Sequence, residues 1–243
     1  NWLIREGYSD LLVIFEDPPG RLKQIRQKAR RVGFPRALGQ ALFMAILMPV
    51  LRWESANRRS GLRANYGLDE TMPRLQRVLH VDKINDAVVV DQVRSNEFDV
   101  ILVNGTGIIR APVLAATKAP FINTHVGITP DYRGVHGGYW ALWNNEPGQF
   151  GVTLHLLDEG IDTGGILAQV TARPDRHDNL ASYPLLQQAK ALGSLKGFLE
   201  TIARGEKLPV SAETTDTVAK SKGTQWYHPT LLQYVLARLR GIR

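Results

Sequence analysis

The chain has no cysteine, which excludes disulfides, thiolate metal sites and a cysteine nucleophile and agrees with a reducing compartment. It also lacks an HExxH segment or a carboxylate cluster at metal-ligand spacing, so no metal is expected. Residues 1–7 have neither the basic start nor the apolar core of a signal peptide, and the expected location is the cytoplasm. Acidic residues are missing from 21–36, where Arg21, Lys23, Arg26, Lys28, Arg30, Arg31 and Arg36 follow one another. Charge of either sign is missing from 37–51, which reads ALGQALFMAILMPVL. At about 15 residues, that run is shorter than the roughly 20 needed by a bilayer-crossing helix. It reads as a core-packed helix, with a dimer interface or a contact at the inner face of a membrane as alternatives.

With 44% apolar and 22% charged residues, the composition is that of a globular protein rather than a disordered chain. A length of 243 residues suits one sizeable α/β domain, alone or with a small appendage. The net charge of +7 suits an anionic partner: a nucleotide, a phosphorylated sugar, a nucleic acid or an acidic membrane surface.

Residues 10–16 form a compact apolar run closed by Asp17-Pro18-Pro19-Gly20, a buried strand ending in a turn. Further strands are expected at 77–81, 100–103, 120–123, 151–157 and 165–170, and helices at 85–95, 111–117, 138–144 and 183–204. Residues 54–71 read as a polar linker. Strands alternating with helices imply a mostly parallel sheet covered on both faces. Ligands bind beyond the carboxyl ends of such strands, which singles out the loops 104–110, 123–138 and 158–164. The last joins two strand-like runs, so a hairpin is possible there.

Asn123, Thr124 and His125 close one apolar run, and Asp162 lies in the string Asp158-Glu159-Gly160-Ile161-Asp162-Thr163-Gly164-Gly165. An amide, an imidazole and a carboxylate are what an acyl transfer to an amine requires. Asn123 can donate to a developing oxyanion, His125 can donate or relay a proton, and Asp162 can orient the imidazole. Two positions apart on an extended segment, Asn123 and His125 point to the same side. His155, in the alternating run 151–157, reads as structural, and His177 and His228 as solvent-facing.

The order Asn-Thr-His, Pro-Asp-Tyr-Arg-Gly, Gly-Val-Thr and Asp-Glu-Gly-Ile-Asp-Thr-Gly-Gly-Ile-Leu resembles the folate-dependent formyltransferase family. The resemblance implies a Rossmann-like α/β domain over residues 1–208, with 21–60 as a helical insertion and 209–243 as an extension carrying an amphipathic helix. It implies 10-formyltetrahydrofolate as co-substrate and Asn123, His125 and Asp162 as the catalytic residues. Gly105, Gly107, Ile108 and Ile109 fall on one folate-side loop, and Asp158, Glu159 and Gly160 on the other. The family's first strand and its phosphate-holding turn are expected to be absent from this chain.

The expected acceptor is the amine of an amino sugar, nucleotide- or lipid-linked, of the kind used in surface polysaccharides. Arg133 and His136 are candidates to bind it. Tyr139 and Trp140 either stack on it or are core aromatics. No nucleic-acid partner is expected, because only about 35 residues follow Pro209, too few for the barrel domain carried by the tRNA formyltransferases. The alternatives are a phosphoribosylglycinamide formyltransferase, a formyltetrahydrofolate hydrolase, and a catalytically inactive homologue that binds folate or a membrane.

Overall fold

The computed structural model describes residues 1–17, 20, 30, 32–69, 71, 75, 77–159, 164–211 and 224–242. Most of the basic run, the Pro18-Pro19 turn, and Gly160 with Asp162 lie outside the described residues. A single helical turn, α1 (Trp2–Arg5), leads into β1 (Leu12–Glu16). The 37–51 run falls within one long helix built of α2 (Phe34–Leu42), a π turn (Phe43–Leu47) and α3 (Met48–Glu54).

The segment read as a polar linker is instead an 11-residue helix, α4 (Ala56–Tyr66), closed by Gly67 in the left-handed conformation at φ 60°. Its sequence, ANRRSGLRANY, has no apolar stripe, and Leu62 is its one buried hydrophobic residue. Tertiary bonds rather than periodicity hold it. Arg58 donates through Nε and Nη2 to the two oxygens of Asp178 at 3.0 and 2.9 Å, and the Ser182 hydroxyl and Asp175 N–H complete that buried carboxylate's shell. Removing one partner of a buried pair strands the other. Arg58→Ala is therefore expected to cost about 3 kcal/mol of stability, measured by urea unfolding, with Asp178→Asn costing less because the cation it strands is partly exposed and keeps Asp175 at 3.3 Å.

From there the chain alternates. β2 (Arg77–Val81), α5 (Ala87–Ser95), β3 (Ile101–Val103), α6 (Ala111–Leu114) and β4 (Phe121–His125) follow in order. β5 (Arg133–Gly134), α7 (Gly137–Trp143) and the hairpin β6 (Gly151–Leu156) to β7 (Ile166–Thr171) come next. Then come α8 (Tyr183–Ala203), β8 (Gln225–Trp226) and α9 (Leu231–Leu239). The hairpin expected around 158–164 is present, with β6 and β7 antiparallel.

β1 pairs in parallel with β2, while the main sheet has the order β3-β4-β6-β7. β3 and β4 are parallel, and the β6–β7 hairpin adds antiparallel to β4. Between β1 and β3 lies an apolar cavity of about 280 Å³, bordered by Val13, Ile14, Ile101 and Val103. Among the described residues no strand fills it.

One core lies between β1–β3 and α5, and another between the main sheet and α8. A third joins the long helix, α7, α8 and α9 around Phe43, Tyr139, Trp140 and Tyr234. Thr230 caps α9 reciprocally with Gln233, so this helix starts where its sequence signal lies.

Candidate active site

β4 begins with Phe121 and Ile122, both buried in the cores, and ends in polar Asn123-Thr124-His125. The apolar half anchors the strand, and its carboxyl end delivers the polar half to a cleft of about 500 Å³. Residues 103–109, 123–126, 134–136 and 157–158 line that cleft, with Pro184 and Gln188 from the first turns of α8. Asn123, Thr124 and His125 all line it, at the end of the strand.

The antiparallel register sets His155 opposite Asn123. Nδ1 of His155 lies 2.8 Å from the carbonyl oxygen of Leu156, which can only accept, so Nδ1 carries the proton. Nε2 is then an acceptor and takes a hydrogen bond from Asn123 Nδ2 at 3.1 Å. The amide is thereby oriented, and its second N–H is a donor for a carbonyl oxygen in the cleft. His155 is fully buried and is part of this site. Its position in the alternating run gave no sign of that, because only the strand register reveals its partner. His155→Phe, which keeps a ring but removes the acceptor, is expected to lower kcat for formyl transfer about tenfold with little change in KM. Steady-state kinetics would check this, and an unchanged kcat would show the amide needs no such support.

His125 is held as firmly. Its Nε2 donates to the carbonyl of Tyr132 at 2.9 Å, so in the neutral ring Nδ1 carries the lone pair. A Cβ on Gly127 would lie 2.9 Å from that Nε2 and would also meet the Tyr132 carbonyl, so glycine is needed for the loop to pass the ring. Tyr132 is fixed in turn: its ring stacks on Trp226, and its hydroxyl donates to Glu146 at 2.5 Å. Burial, and then that hydrogen bond, push its phenol up to about 12, so it stays protonated through the neutral range. Thr153 secures the same loop, donating to Gly127 O at 2.7 Å and accepting from Thr129 N at 3.1 Å.

On the other wall, Gly105 has φ +70° and gives the loop after β3 its left-handed bend. Two backbone groups of this loop are bonded within the protein. Gly107 N–H already donates to Glu16 at 2.5 Å, and Ile108 O accepts from Asn85 at 2.8 Å. The Ile109 side chain is buried in the core. The loop also brings the half-exposed Ile108 side chain to the cleft, and Asn104 is bonded to Gln188 at 3.0 Å. Asp158 lines the cleft; Glu159 is exposed and does not line it.

On the acceptor side the structure divides the expected residues. His136 lines the cleft, in a left-handed conformation at φ 61°, with Nε2 3.0 Å from Nδ1 of His228. His228 is accordingly half-buried, not solvent-facing, and its carbonyl accepts from Gln40. Arg133 does not line the cleft, and its Nε donates to Pro130 O at 3.1 Å. Tyr139 and Trp140 are core aromatics, 1% and 2% exposed, and cannot stack on a ligand. Helix α7 turns them inward, where Trp140 stacks on Trp226 and donates to Tyr227 O. Pro184 and Gln188 were not anticipated, since nothing in a helical pattern marks which turn faces a cleft.

A family model described as formyl transferase matches residues 63–190, more than half of the chain and every described residue that lines the cleft. The chain belongs to the formyl transferase family. A methionyl-tRNA formyltransferase from Deinococcus radiodurans is 34% identical over 157 residues, covering 62% of this chain and 48% of that one. The chain thus spans about half the length of the curated relatives it matches. Among solved structures, a sugar N-formyltransferase from Shewanella sp FDAARGOS_354 aligns with a TM-score of 0.46 at 21% identity, over 61% of this chain and 56% of that one. A phosphoribosylglycinamide formyltransferase from Bacillus halodurans aligns at 0.42 and 23% identity, over 54% and 79%.

Proposed function

We propose that this formyl transferase moves a formyl group from 10-formyltetrahydrofolate to the amine of an amino sugar, nucleotide- or lipid-linked, in the cytoplasm. The observation that carries the reaction class is the pairing of an oriented amide and an oriented imidazole, Asn123 and His125, in one cleft at the carboxyl end of β4. The acceptor nitrogen attacks the formyl carbon, and the carbonyl electron pair moves onto oxygen. The second N–H of Asn123 meets that oxyanion. The bond from carbon to N10 of the folate then breaks, the acceptor nitrogen loses a proton, and N10 gains one. His125, fixed through Nε2, is the group that takes up a proton at Nδ1 and passes it on. Asp162, outside the described residues, is assigned to accept the amine's proton through water on the strength of its sequence position alone.

The amino-sugar reading rests on the likeness of the sequence at 131–140 to the sugar formyltransferases and, of the four residues expected to bind the acceptor, on His136, which alone lines the cleft. The identity to methionyl-tRNA formyltransferases favours a second reading, an aminoacyl-tRNA acceptor. Incubation with 10-formyltetrahydrofolate and either amino-sugar nucleotides or methionyl-tRNA, following tetrahydrofolate release, separates the two. Release with sugars only supports the first reading, release with the tRNA only replaces it, and release without any acceptor indicates hydrolysis. No release under any condition rejects the enzymatic reading.

A further inference from the structure

The long helix from Phe34 to Glu54 turns one face into the protein, where Ala37, Gln40, Phe43, Met48 and Leu51 are buried. Its other face exposes Phe34, Leu38, Leu42, Ile46, Val50 and Trp53. Spacing by four residues advances about 40° around an α-helix with each step, so such a row should wind away. The π turn at 43–47 carries more residues per revolution and takes that drift back, keeping the row on one side.

Helix α9 lies alongside, with Tyr234 5.4 Å from Phe43 and Thr230 against Gly39. It adds a second exposed row of Leu232, Val235, Leu236 and Leu239. Trp53 and Leu239 are 79% and 80% exposed. Adjoining apolar rows on two neighbouring helices exceed the scattered exposed residues normal on a soluble surface.

The charges around these rows identify the occupant. Arg36 and Arg52 flank the first row, and Arg238 and Arg240 close the second. Arg36 lies over the Tyr227 ring at 5.9 Å and Arg240 over the Trp143 ring at 4.9 Å, so their charges are held at this face. Glu54 is the one acid on the two helices, and Arg238 neutralises it at 3.9 Å. Pairing of two identical copies through this face would bring together surfaces of the same net positive charge. An anionic bilayer meets both features at once, taking up the apolar rows between headgroups and pairing the arginines with phosphates.

We propose that this face docks the protein onto an anionic membrane surface. The helix lies on the bilayer rather than crossing it. By length and composition it could span, but Phe43 is packed in the core and Gln40 donates to His228 O at 2.7 Å. The docking face is also linked to the cleft, because the His228 ring bonds His136 on the acceptor side.

The test is sedimentation of the full chain with phosphatidylcholine vesicles, with and without phosphatidylglycerol. Binding is expected with phosphatidylglycerol, weakening as salt is raised. The triple variant Ile46→Glu, Trp53→Glu, Leu239→Glu is expected to lower the bound fraction by about tenfold or more. These side chains are exposed, so its circular dichroism and melting curve should match the parent's. Arg36→Gln with Arg52→Gln should weaken binding only to the anionic vesicles. No binding to phosphatidylglycerol vesicles at low salt would overturn the proposal, as would binding the triple variant retains. A dimer dispersed by the same glutamates, without vesicle binding, would replace it with a protein interface.

Discussion

Asn123→Ala is expected to lower kcat for formyl transfer by about 10²- to 10³-fold, the usual loss when one preorganised oxyanion donor is removed. KM for either substrate should move little, because the bond strengthens only as charge develops on the formyl oxygen. The structure permits a sharper form of this expectation. Asn123 Nδ2 is tied to Nε2 of His155, and that ring is fixed in one tautomer by the Leu156 carbonyl. If His155 acts only through the amide, His155→Phe should cost nothing further once Asn123 is alanine. A double-mutant cycle measures this directly. Fully additive losses would mean that His155 touches the reaction by another route. Asn123→Asp should be worse than alanine, since a carboxylate beside the developing oxyanion repels it.

The longer strands were legible because each is a short apolar run closed by a turn signal, whereas the two-residue pairing of Arg133–Gly134 with Gln225–Trp226 has no such run. Arg77–Val81 and Leu12–Glu16 fall where the β-branched and aromatic residues put them. Helix α4 was not legible, since an ion pair to Asp178, 120 residues away, holds a segment with almost no apolar face. The site divides the same way. Asn123 and His125 could be paired from sequence because the alternation of a strand is a local rule. His155 could not, because its role depends on strand register. Tyr139 and Trp140 show the converse: an aromatic pair beside a binding loop looks like a platform until the helix's rotation is known, and here it faces the core. In the loop after β3, Gly107 N–H and Ile108 O are likewise bonded by Glu16 and Asn85, whose proximity no local pattern reveals.

His125→Ala is expected to lower kcat by about 10²- to 10⁴-fold, the range for a positioned acid–base group. The ring is only 6% exposed and anchored at Nε2, so its removal also leaves a hole and an unpaired Tyr132 carbonyl. Stability must therefore be read separately by urea unfolding, and kcat measured well below the transition. His125→Gln separates the two contributions. The glutamine amide can still donate to the Tyr132 carbonyl, so stability should recover relative to alanine. It cannot relay a proton at neutral pH, so kcat should stay low. Recovery of both together would make His125 a brace for the Tyr132 loop and leave the proton transfer to another group. Recovery of stability alone assigns the imidazole to the chemistry, because the packing and the hydrogen bond would then be restored while the titrating ring nitrogen is still missing.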